Sequence, residues 1–117
     1  MISLPENEFD ENAYNDLKNA VGPALQKITE TFLSNSKEDF AALQTHFSND
    51  DLDATSRAAH KLKSSSGYLG LKHVSNLAKE IEFGAREGKP AEDLAALVQK
   101  MREALSSAWV FLESGTH

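Results

Sequence analysis

The residues best equipped for chemistry are His60, Lys63 and Ser64, with Glu82 further along the chain. An imidazole has a reference pKa of about 6.5, so a neutral ring nitrogen is available as a nucleophile near pH 7. If the segment is helical, Ser56, Lys63, Ser64 and Gly67 lie about one or two turns from His60 on the same flank. Three of those four are small, so another protein can approach the ring closely. The fourth offers an ammonium to anything negative bound there. Glu82 sits where a neighbouring antiparallel helix would bring it level with His60. A carboxylate there would accept the proton of one ring nitrogen, Nδ1, and leave the other free. The competing reading is an exposed Glu82 paired with Lys79.

Other chemistries are excluded or poorly supported. There is no cysteine, which removes disulfides, thiol nucleophiles and Cys-ligated zinc. His46 precedes Phe47 on a polar flank, His73 falls on the outer face of its helix and His117 is terminal. None has converging ligands at helical spacing, so no metal site is expected. The chain shows no Gly-rich nucleotide loop and no nucleophile–base motif of its own.

The elements that must position these residues are helices. Asp10 to Ala20 reads as a first short helix with Asp10 as N-cap and Gly22 as its stop. Pro23 opens the next. Leu25, Ile28, Phe32, Phe40, Leu43 and Phe47 keep a helical stripe, while Ser36-Lys37-Glu38-Asp39 looks like a fresh N-cap. Two helices are expected here, or one bent near Ser34 to Ser36. Ser48-Asn49-Asp50-Asp51 is a turn. A helix follows from Asp51 to Leu69, with Leu52, Thr55, Ala58, Ala59, Leu62, Ser66 and Leu69 facing the core and His60 on the solvent flank. Gly70 ends it. Leu71, Val74, Leu77, Ala78, Ile81 and Ala85 mark the next. Gly88-Lys89-Pro90 is a stop and a start, and the stripe from Leu94 to Leu112 marks the last. Trp109 reads as partly buried core. Short connections between amphipathic helices imply an all-α, antiparallel up-down four-helix bundle with one or two additional short N-terminal helices, in a single domain over residues 1–117.

Composition agrees with a water-soluble globular chain of 117 residues, 40% hydrophobic and 26% charged. The start of the sequence is not a signal peptide, and no apolar run approaches the ~18 residues that span a bilayer. A cytoplasmic protein with no membrane partner is expected. The net charge is −6, which argues against nucleic acid as a partner. Yet no acidic residue lies between Ala54 and Lys79, where Arg57, Lys61, Lys63, Lys72 and Lys79 gather. That basic window marks a local site for something anionic, or a fluctuation on a solvated face.

The stretch from Ala59 to Leu71, AHKLKSSSGYLGL, resembles the signature of histidine-containing phosphotransfer (HPt) domains: His, any residue, apolar, Lys, a small residue, then Gly seven and ten positions after the His. Asp51 nine residues before His60, the Ile81-Glu82 pair and the upstream Phe32-Leu33 extend the likeness over nearly the whole chain. Where the family often has Gly four residues after the His, this chain has Ser64, which is still small. Its hydroxyl could meet the phosphoryl group or the imidazole, and the sequence leaves that open.

The resemblance implies that His60 is phosphorylated on Nε2 and that Lys63 stabilises the phosphoryl group, with Glu82 orienting the ring. It implies exchange with aspartates of response-regulator receiver domains and supply by a hybrid sensor histidine kinase. Ser56, Arg57, Lys61, Gly67 and Tyr68 would form the docking surface, with Phe83 a further candidate. No intrinsic cofactor is implied, because the receiver would bring its own Mg²⁺ and phospho-aspartate. Phosphoryl transfer needs positioning and charge neutralisation more than covalent machinery. A phosphocarrier with no self-sufficient kinase or hydrolase activity is therefore expected. The initiating Met1 and the complete-looking termini favour a stand-alone protein, and a monomer is expected; an excised phosphoacceptor domain of a larger chemotaxis-type kinase and a non-catalytic helical interaction module are the alternatives.

Overall fold

The computed structural model describes residues 4, 5 and 7–114; His117 and the first three residues lie outside the described part. Among the described residues five helices follow one another: α1 (Glu11–Val21), α2 (Ala24–Ser48), α3 (Leu52–Tyr68), α4 (Lys72–Glu87) and α5 (Ala91–Glu113). No strand occurs among the described residues. α2 to α5 form the bundle, and α1 is the one short N-terminal helix.

The ends are set by local chemistry. Asp10 accepts from the Ala13 amide at 3.0 Å and Asp51 from the Ala54 amide at 3.1 Å, so each satisfies an amide the first turn leaves open. Gly88 closes α4 in the left-handed conformation, φ 79°. Pro90 precedes α5, whose first turn carries Glu92 and Asp93. The connections are so short that sequential helices must run antiparallel.

Ser36 does not start a helix. α2 is a single helix of 25 residues, about 37 Å at 1.5 Å per residue, against a longest molecular extent of 41 Å. Ser36 is buried in its middle and accepts a hydrogen bond from Trp109 Nε1 of α5 at 2.9 Å. A hydroxyl that looks like a cap is instead the acceptor that allows a half-buried indole. Lys37 of α2 pairs with Glu113 of α5 one turn further on, at 3.0 Å.

The core runs the length of the bundle: Phe32, Phe40 and Leu43 from α2, Ala59 and Leu62 from α3, Leu77 and Ile81 from α4, Met101 and Leu105 from α5. Tyr14 and Leu17 of α1 close one end, with Phe9 tilted against Tyr14 and Phe111. That end is fastened at Gly70. The Asp10 amide donates to the Gly70 carbonyl at 2.7 Å, and a Cβ on Gly70, whose φ is 76°, would stand 2.6 Å from the Asp10 carbonyl oxygen. Only glycine fits that crossing.

Candidate functional site

α3 and α4 pack most closely of all the helices, and their register is plain from three contacts. Ser56 Oγ donates to the Glu82 carbonyl at 3.1 Å, His60 faces the Glu82 side chain, and Ser75 Oγ donates to the Lys63 carbonyl at 3.0 Å. His60 therefore sits beside α4 without being covered by it: its side chain is 55% exposed, whereas that of Glu82 is 2% exposed. The small side chains of Ala58, Ala59 and Ser56 let α3 approach its neighbours at this level.

Glu82 is the hub. Oε2 lies 2.9 Å from His60 Nδ1 and 3.0 Å from Arg86 Nη2, and Oε1 lies 2.9 Å from Lys63 Nζ. Burial pushes the Glu82 carboxyl up, but the Lys63 ammonium and the His60 ring outweigh it and hold the group below the usual carboxylate range. An ionised Glu82 accepts, so Nδ1 is the donor. The proton then occupies Nδ1, and Nε2 carries the lone pair on the exposed edge of the ring. Lys63 also passes 5.7 Å from the centre of the Phe83 ring, with Lys79 at 5.8 Å.

On the opposite flank His60 borders an apolar groove of about 690 Å³ between α2 and α3. Ile28, Phe32 and Asn35 line one wall; Lys61, Ser64 and Tyr68 line the other. Lys61 crosses its mouth to Asp39 at 3.5 Å. Tyr68 is 57% exposed.

The structure brings His60, Lys63 and Glu82 together at the expected spacing. Glu82 is buried rather than exposed on Lys79. Ser64, Lys61, Arg57, Gly67 and Tyr68 are all exposed, with Arg57 paired to Asp53 one turn away. Ser56 is the correction. It is buried, because its flank of α3 is the one α4 covers, so it braces the Glu82 backbone and offers nothing to an incoming protein. Arg86 was not anticipated. Its signal was the i, i+4 spacing from Glu82 on a helix, which gains meaning only once Glu82 is known to face His60.

The described residues thus form a helical bundle with a half-exposed histidine beside a buried carboxylate. The Hpt domain model matches residues 27–108, well over half of the chain, and the chain belongs to the Hpt domain family. Its function is histidine phosphotransfer in phosphorelays, where Hpt domains work with receiver domains and hybrid kinases. The fold is similar to the crystal structure of histidine-containing phosphotransfer protein B (HptB) from Pseudomonas aeruginosa PAO1, with a TM-score of 0.89 and 22% identity over 97% of this chain and 96% of that one. It is also similar to the HPT domain of an Hpt sensor hybrid histidine kinase from Shewanella, with a TM-score of 0.79 and 19% identity over 94% of each chain. No curated protein sequence matches the chain. Among the described residues, no helix is long and apolar enough to cross a membrane.

Proposed function

We propose that His60 is the residue that carries the phosphoryl group, on Nε2, and exchanges it with the aspartate of a receiver domain. One observation carries this reading: Nδ1 is committed to buried Glu82 at 2.9 Å while the rest of the ring is open. The lone pair on Nε2 attacks phosphorus in line as the aspartyl oxygen departs with its electron pair. The return step reverses this, and Nδ1–H stays with Glu82 throughout. Lys63 meets the incoming charge by turning its ammonium from Glu82 towards the phosphoryl oxygens. Arg86 remains to balance the carboxylate when it does so.

The docking surface in this reading is the groove and its rim, with Arg57, Lys61, Gly67 and Tyr68, and Phe83 on the far side of Lys63. The chain has no cofactor of its own, and the receiver supplies Mg²⁺. It acts as a monomer in the cytoplasm. The same site would serve a stand-alone carrier or a domain of a hybrid kinase such as the Shewanella protein.

The test is labelling with a phosphorylated receiver domain. An acid-labile, base-stable phosphate is expected on the wild type and none on His60→Gln. Labelling of His60→Gln at the wild-type level removes His60 from the role.

A further inference from the structure

Four residues lie one helical turn from His60 on α3, and three have partners for their side chains in this structure, of which only Lys63 is proposed to turn to the phosphoryl group. Ser56 Oγ is given to the Glu82 carbonyl, Arg57 to Asp53 and Lys63 to Glu82. Ser64 is the fourth. It is exposed, it lines the groove beside His60, and its hydroxyl has no partner among the described residues. Its neighbours behave differently: Ser65 and Ser66 both donate to the Leu62 carbonyl, and Ser75 donates to that of Lys63. Ser64 alone of these keeps a free donor.

Direction matters as much as availability. At 100° per residue Ser56 and Lys63 fall about 40° and 60° to one side of His60, while Ser64 falls about 40° to the other. The first side belongs to α4 and Glu82, which hold Nδ1. The second opens on the groove. Helical side chains lean towards the N-terminus, so Ser64 leans back over the His60 turn. Lys27, a cation that also lines the groove, is twelve residues before Asp39 on α2, about 18 Å along the axis, and is remote from the ring.

We infer that Ser64 is a positioning residue for the phosphorylated state: its Oγ–H donates to a phosphoryl oxygen on His60 Nε2. The inference rests on His60 being the phosphorylated residue. Its consequence is kinetic. In the loose transition state of phosphoryl loss the transferring group resembles metaphosphate, and each oxygen carries less charge than in the phosphohistidine. A donor aimed at those oxygens stabilises the ground state more than the transition state, so it slows loss to water. Ser64 therefore lengthens the life of the stored phosphoryl group.

The test needs no partner. Phosphoramidate donates to the full chain: the Nε2–P bond forms as the donor P–N bond breaks, and the nitrogen leaves as ammonia after taking a proton. Excess donor is removed, and decay is followed by ³¹P NMR. Ser64→Ala is expected to decay about three- to tenfold faster than wild type, from a charge-assisted hydrogen bond partly lost in the transition state, with a displaced ³¹P resonance. Ser64→Thr keeps the hydroxyl and restores both. Ser65→Ala, whose hydroxyl is spent on the backbone, decays like wild type. Equal lifetimes and resonances for wild type and Ser64→Ala overturn the inference and leave the role of His60 intact. Faster decay in Ser64→Gly alone, with Ser64→Ala unchanged, makes the side chain a steric shield and also overturns it. Failure of the wild type to take phosphate on His60 ends the reading of the site and this inference with it.

Discussion

At the scale of single residues, the site is an arrangement around one buried carboxylate. In the proposed reading Glu82 orients His60 by accepting from Nδ1, so the tautomer at His60 depends on it. Replacing it by Leu removes the acceptor. The fraction of ring protonated on Nε2, read from imidazole ¹⁵N shifts, is expected to rise, with transfer slowed about tenfold, the worth of a charge-assisted hydrogen bond. Glu82→Gln keeps an acceptor and retains most of the rate. An unchanged tautomer in Glu82→Leu would remove the orienting role. The same carboxyl also shapes acid stability. Its partners hold it below the ordinary carboxylate range of about 4.5. The stability it contributes is therefore complete above that value and is lost as pH falls through the lower folded value. Denaturant midpoints measured into the acid range should fall more steeply for wild type than for Glu82→Gln, and parallel curves would contradict this.

What the sequence showed at this scale was spacing, and what it hid was which flank would be covered. His60, Lys63 and Glu82 could be set together because helical and antiparallel geometry relate their positions. Ser56 was misplaced because it shares a flank with His60 on an isolated helix, and only the packing of α4 decides that this edge is buried. Arg86 was invisible for the same reason. Its partner mattered only after two helices were docked.

At the scale of elements, caps and crossings carry specific costs. Asp51 begins the helix that bears His60. Asp51→Ala should lower stability by about 1 kcal/mol through loss of the Ala54 amide bond, with the midpoint of urea unfolding as the measure. Gly70 is less forgiving. Alanine there meets both a left-handed backbone and the Asp10 carbonyl 2.6 Å away, so a loss of about 2 kcal/mol or more is expected. A melting temperature within a degree or so of wild type would mean that the N-terminal segment can move aside without cost. The helices and their ends were legible from apolar period, aspartate caps and glycine stops. The continuity of α2 was not, because Ser36 has the composition of a helix start. Its burial against Trp109 is a tertiary fact that a local pattern does not carry.

At the scale of the whole molecule, charge is sorted. A chain of net charge −6 keeps Arg57, Lys61, Lys63 and Arg86 around one histidine. Each cation has an acid beside it, so the local field is modest and mostly exposed to solvent. An acidic partner is steered only while salt is low. Transfer at sub-saturating receiver should slow as ionic strength rises, mainly through association, whereas single-turnover rates at saturation stay level. A rate indifferent to salt would place recognition in the apolar groove alone.

His60 is the middle residue of α3, with eight residues of helix on either side, or about 12 Å of axis to each tip. On the proposed reading the working surface is consequently the shaft of the bundle. Sequence appended at the loop-bearing tips, whether a tag or a tether to another module, leaves the imidazole in open view. A binding protein raised against a tip would ride along while phosphate exchange continued, and one gripping the shaft would halt it.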